Sequence, residues 1–106
     1  MTDQVRASHI LLMYDGSARS SATRSKDAAL SEINALAARI AAGEEFGTVA
    51  QEVSDCPSGQ RGGDLGSFGR GQMVKEFEET AFALGVGETS GVIETDFGYH
   101  LIQRTG

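Results

Sequence analysis

Six glycines fall within the thirteen residues from Gly59 to Gly71. That density predicts a loop with several positive-φ turns, a backbone that glycine reaches at no steric cost. The stretch separates amphipathic segments before it from another after it, and the chain holds 14 glycines in all. A phosphate-binding loop is the first chemical reading to try, and it fails on detail. There is no G-x-x-x-x-G-K-[ST], and no G-x-G-x-x-G stands between a strand and a helix.

The other segments carry clearer periodicity. Val5 to Met13 alternates and then turns wholly apolar, which predicts a strand buried on both faces at its end. His9 shares a face of that strand with Val5, Ala7, Leu11 and Met13, so it should point into the protein. Tyr14 to Ser25 is small and polar without periodicity, and reads as a surface loop. Ser25 is a candidate helix cap, with Asp27 placed to suit the helix dipole. Leu30, Ile33, Leu36, Ala37 and Ile40 form one apolar stripe at helical spacing, which Gly43 stops. Phe46, Val49, Ala50 and Val53 mark a second, shorter helix. Phe77, Ala81 and Leu84 mark a third, closed by Gly85. Gly91 to Ile93 and Phe97 to Arg104 read as two final strands joined by a turn at Thr95-Asp96. Helices between well-separated strands predict an α+β domain.

At 106 residues and 40% hydrophobic side chains, the chain can bury a core without staples and fits a single domain over residues 1–106. Its net charge is −6, and no basic run offsets it, so neither nucleic acid nor an anionic membrane is an expected partner. Residues 1–26 are locally positive, with four basic side chains against two acidic ones. No stretch is apolar enough to span a bilayer, and MTDQVRASHILLM lacks a signal-peptide layout. A lone cysteine makes no internal disulfide. Together these point to a reducing cytoplasm. Two histidines and one cysteine, far apart in sequence, give no zinc-like spacing. A serine hydrolase would need a G-x-S-x-G elbow that is missing.

What chemistry remains lies with Cys56, His9 and His100. A lone cysteine is ordinarily a small hydrophobe, and a strand histidine a satisfied core residue. Here Cys56 sits between Asp55 and Pro57 beside the glycine-rich stretch. His9 and His100 lie on the first and last strands, where adjacent inward imidazoles could fix one another's tautomers.

The chain as a whole resembles a known family. Ser8-His9-Ile10-Leu11, then Asp55-Cys56-Pro57-Ser58-Gly59-Gln60-Arg61-Gly62-Gly63-Asp64-Leu65-Gly66, resembles the parvulin peptidyl-prolyl cis–trans isomerases. So do Gly71-Gln72-Met73-Val74 with Phe77-Glu78, Gly87-Glu88-Thr89-Ser90-Gly91, and Phe97-Gly98-Tyr99-His100. The match runs in order from about Val5 to Thr105. The resemblance implies a four-stranded antiparallel sheet wrapped by four helices in β-α-α-α-β-α-β-β order, the extra helix being a short turn near Pro57–Gln60. It implies a monomeric enzyme acting on proline-containing polypeptides with no cofactor or metal. It implies a proline pocket of Leu65, Met73, Phe77 and Phe97, with Gln72 lining the groove. The catalytic polar cluster would be His9, Cys56, Thr95 and His100, with Asp55 beside it.

An X–Pro bond rotates over a barrier near 20 kcal/mol because the nitrogen lone pair is delocalised into the carbonyl. An apolar cleft penalises the polar planar amide more than its twisted transition state. Thiolate attack by Cys56 is the covalent alternative, disfavoured by the adjacent Asp55. A proline-segment binding module or holdase without significant catalysis is the alternative from another class. Relatives that prefer phosphoserine or phosphothreonine before proline carry a lysine ending the first strand and an arginine pair in the following loop. Here Met13 and Ala18 stand at the lysine and the first arginine. Arg19 and Arg24 remain as candidate phosphate ligands, which would support a modest preference for phosphorylated or acidic residues before proline. Glu76 opposes it.

Overall fold

The run from Ala7 to Leu12 is buried on both sides, and the helices that follow provide the cover. A computed structural model describes residues 4–17, 22, 24–55 and 57–106, leaving aside the side chain of Pro57. In chain order the elements are β1 (Gln4–Leu12), α1 (Lys26–Ala41), α2 (Phe46–Val53), a 3-10 turn (Pro57–Arg61), β2 (Asp64–Gly69), α3 (Lys75–Ala83), β3 (Ile93–Thr95) and β4 (Gly98–Arg104). The four strands make one antiparallel sheet in the order β2-β1-β4-β3. The first and last long strands are therefore its central pair.

Side chains alternate across a strand, and the core divides accordingly. Ile10 and Leu12 of β1 with Tyr99 and Leu101 of β4 pack beneath α1 and α2, against Ala29, Ile33, Leu36, Phe46, Val49 and Ala50. Val5, Ala7 and Ile102 face the other way, onto Phe68 and onto Phe77 and Ala81 of α3. Parity puts His9, Leu11 and His100 on this second face. Ser25 caps α1 by accepting the Ala28 N–H at 3.1 Å, and Gly43, at φ +112°, follows its end. Among the described residues no helix is long and apolar enough to cross a membrane.

The parvulin order holds, with three α-helices and a 3-10 turn in place of four helices. The glycine-rich stretch differs from its sequence reading. Half of it, Asp64 to Gly69, is an edge strand paired with β1, with a bulge between Arg6 and Ser8. Phe68, buried at 2% exposure, anchors that strand, while the glycines take up the irregular register. The final hairpin is also shifted by a residue: β3 covers Ile93–Thr95, and the turn is Asp96-Phe97.

Two glycines are required by what they touch. Gly63, at φ +83°, accepts the His9 N–H at 2.9 Å, and a Cβ there would lie 2.2 Å from the His9 carbonyl oxygen. Gly98, at φ +141°, would place a Cβ 2.3 Å from the Leu12 oxygen. Both press on the strand that carries His9. Gly66, at φ +73°, has open space around it. Gly66→Ala should therefore cost only the left-handed backbone strain of about 1–2 kcal/mol. Gly63→Ala must also move β1, and should cost clearly more than that. Urea unfolding of the two variants checks the ordering; equal losses would contradict it.

Candidate active site

β1 and β4 pair with His9 opposite Ile102 and Leu11 opposite His100. The two histidines are thus diagonal neighbours on one face of the central pair, within reach of one another. Their Nδ1 atoms lie 3.2 Å apart, with ring centroids at 5.4 Å and planes 23° from parallel. His100 Nε2 is 2.7 Å from Thr95 Oγ1, which also accepts the Phe97 N–H at 3.2 Å. Thr95, at the end of β3, is 7% exposed.

Donor counting allows two directions for this chain, because Thr95 Oγ1 keeps a second lone pair as well as its proton. Either the hydroxyl donates to His100 Nε2 and His100 Nδ1–H to His9 Nδ1, or His9 Nδ1–H donates to His100 Nδ1 and His100 Nε2–H to Thr95. In both, one proton lies between the two Nδ1 atoms. His9 Nε2 is the one buried side-chain polar atom without a hydrogen-bond partner among the described residues. Burial holds both rings neutral: it lowers the His9 pKa to about 4. For His100 burial, and then the charge His9 would carry, lowers the pKa to about 3.

An apolar cluster adjoins this polar chain. Phe77 stands edge-on to both imidazoles, with centroids 5.5 Å from His9 and 5.8 Å from His100. Behind it Phe68 packs at 5.9 Å. Half-buried Leu65, Met73 and Ile93 pack against the cluster to which Phe77 and Phe68 belong. So Leu65, Met73 and Phe77, expected together, are together. Phe97 is not in this cluster; it lies half-buried in the β3–β4 turn. Gln72 is exposed, and its Oε1 accepts the Gly69 N–H at 2.7 Å, which ties down the lip that carries Met73. Phe68 and Ile93 are members the sequence reading does not single out; the signal for Phe68 was a lone aromatic amid glycines.

Cys56 and Arg19 lie outside the described residues, as does Ala18. Arg24 turns inward rather than outward. Its Nη1 donates to the Asp55 carboxylate at 2.5 Å and to the Met13 carbonyl at 2.9 Å, and its Nε is 3.4 Å from Glu32. Asp55 in turn accepts the Met13 N–H at 2.9 Å. A cleft of about 420 Å³ opens beside Thr95, lined by Tyr14, Ser17, Glu76, Glu94 and Asp96.

A neutral imidazole pair on the central strands, set against an aromatic and aliphatic cluster, is a site without a preformed charge. It suits a reaction that rearranges an uncharged bond. The whole chain, residues 1–106, matches the family described as the PPIC-type PPIase domain. The protein belongs to this family and is a parvulin-type peptidyl-prolyl cis–trans isomerase. It is similar to peptidyl-prolyl cis-trans isomerase Pin1 of Arabidopsis thaliana, 46% identical over 114 residues that cover 97% of this chain and 96% of that one. Among solved structures it is similar to the peptidyl-prolyl isomerase ESS1 of Candida albicans, with a TM-score of 0.95 and 41% identity over 98% of this chain and 63% of that one. NmPin, the parvulin of Nitrosopumilus maritimus, gives a TM-score of 0.75 and 38% identity, covering 100% of this chain and 99% of that one.

The histidine pair makes a prediction for stability. Each folded pKa lies below the ordinary value of 6.5, so the unfolded chain binds more protons and stability rises with pH across that window. Stability should be level above about pH 7 from these groups and fall steadily from 6.5 toward 4, by on the order of a few kcal/mol. Thermal unfolding from pH 8 to 4.5 checks this. A melting temperature that stays flat or rises on acidification would contradict neutral burial.

Proposed function

We propose that the chain accelerates rotation about X–Pro bonds in proline-containing polypeptides without a covalent intermediate. The proline ring is held by Leu65, Met73 and Phe77, with Phe97 at the margin and Gln72 lining the groove. His9, His100, Thr95 and Cys56 form the polar wall beside the rotating carbonyl. The observation that carries this reading is the neutral His9–His100–Thr95 chain standing edge-on to Phe77.

The planar amide owes its barrier to charge separation, with negative charge on oxygen and positive charge on nitrogen. The twisted amide has lost most of that separation. A cationic imidazole would stabilise the planar form and so hinder rotation; an uncharged wall does so far less. Phe77 and Met73 hold the ring while the preceding carbonyl swings, which is a contribution of positioning. The wall offers hydrogen-bonding groups where the carbonyl passes. No bond is made or broken, so Cys56 acts as a small polar side chain. A reducing cytoplasm suits a chain with one cysteine.

A modest preference for phosphoserine or phosphothreonine before proline belongs to the same reading and rests mainly on Arg19. Arg24 is already held by Asp55 and Lys26 by Glu94, while Glu76 stands exposed at the cleft. One exposed ion pair is worth about 0–1 kcal/mol, so the preference should be about fivefold or less and should shrink in high salt.

Isomerisation assays on proline peptides test the proposal. Phe77→Ala should lower kcat/KM by about a hundredfold, since a ring that is no longer held loses its orientation. Cys56→Asp should keep appreciable activity, because a polar group remains at the wall. Complete loss of activity in a folded Cys56→Asp variant would favour the covalent route. In the phosphopeptide comparison, a strong preference insensitive to salt would contradict the weak role given to Arg19.

A further inference from the structure

The segment after β1 leaves and returns through a narrow neck, where the Asp15 N–H donates to the Arg24 carbonyl at 2.9 Å. Arg24 then sends its guanidinium back across the neck, to the Met13 carbonyl and the Asp55 carboxylate. Asp55 is hooked onto the end of β1 by further bonds. Its N–H donates to the Leu11 carbonyl at 2.8 Å, its carboxylate accepts from Met13 N–H, and Ser54 Oγ accepts from Leu11 N–H at 3.1 Å. The residue after Asp55 is Cys56.

A second tie repeats the pattern on the other side. Lys26 Nζ lies 2.9 Å from Glu94, and the Tyr14 hydroxyl donates to the same carboxylate at 3.0 Å. Glu94 immediately precedes Thr95. One segment, Tyr14 to Lys26, thus holds the residues that come directly before two members of the polar wall. The ties differ in strength. Arg24 and Asp55 are 28% and 29% exposed in their side chains, against 55% and 44% for Lys26 and Glu94. Less exposed pairs are less screened by water and salt. Carboxylates that also accept backbone N–H groups add charge-assisted hydrogen bonds. The Arg24–Asp55 tie is therefore the principal one.

We propose that Arg24 and Asp55 are positioning residues for isomerisation, a clamp that sets the backbone leading into Cys56 against the end of β1, with Lys26 and Glu94 as a weaker companion ahead of Thr95. This rests on the reading of Cys56 and Thr95 as parts of the polar wall. Arg24, whose guanidinium faces Asp55, Met13 and Glu32, acts on the enzyme rather than on the substrate. Its effect should fall on turnover, because orientation inside the site matters most at the transition state.

Saturation kinetics on an unphosphorylated proline peptide test this with Arg24→Gln, Asp55→Asn, the double variant and Arg24→Lys, folding being checked by circular dichroism. Each single variant should lower kcat about three- to tenfold with KM within about twofold, a loss of orientation rather than of binding. The double variant should be no worse than either single one, and Arg24→Lys should recover part of the loss. The rate at which a neutral reagent alkylates Cys56 gives a readout independent of catalysis. Asp55→Asn removes a negative charge and Arg24→Gln a positive one, so electrostatics alone would move thiol reactivity in opposite directions. A released clamp should raise it in both. Unchanged kcat and opposite reactivity shifts in the two folded variants would overturn the clamp, as would a loss confined to KM. Raised reactivity in both with unchanged kcat would instead overturn the place of Cys56 in the wall.

Discussion

The antiparallel pairing of β1 with β4 is the contact on which the rest of this structure depends. It joins the two ends of the described chain at the centre of one sheet, and so buries both faces of both strands. One face is filled by apolar side chains, Tyr99 and Phe46 among them, against α1 and α2. The other is shared between an apolar cluster under α3 and two histidines. Because the pairing sets Leu11 opposite His100 and His9 opposite Ile102, the imidazoles can reach each other without strain. Any slip by one residue would send one of them to the opposite face.

That burial has an electrostatic consequence. Two imidazoles this close, with an aromatic ring against each, cannot each take up a second proton near neutral pH without a large desolvation penalty. They stay neutral and share one hydrogen bond, and Thr95 engages the far nitrogen of His100. The unpartnered Nε2 of His9 is a cost of about 1–3 kcal/mol, carried at the place where the apolar cluster and the polar chain meet. Charge is kept nearby but outside: Arg24 with Asp55, and Lys26 with Glu94. Opposite charges neutralised in pairs hold the surrounding segments without charging the wall itself.

Much of this was legible in residues and spacing. The doubly apolar end of β1, the inward His9, the α1 stripe and the cap at Ser25 follow from periodicity, since helices and strands impose periods of 3.6 and 2. The family resemblance supplied the order of elements and the pairing of the first strand with the last, which no local pattern contains because His9 and His100 are ninety-one positions apart. β2 escaped local reading because glycine-rich sequence has no alternation, and its pairing is decided by β1. Phe97 and Arg24 show the limit of motif reading in another way. A residue's place in a motif fixes its backbone, but its side-chain partner depends on neighbours such as Asp55, which a carbon skeleton and a charge alone do not reveal.

Nitrogen-15 spectroscopy of the imidazoles reads the protonation of the two rings directly. At pH 7 one ring should carry its proton on Nδ1 and the other on Nε2, and neither ring should titrate as the pH is lowered to 5. A cationic ring at pH 6–7, or a titration midpoint near the ordinary value of 6.5 for either histidine, would contradict the neutral wall on which the proposed mechanism rests.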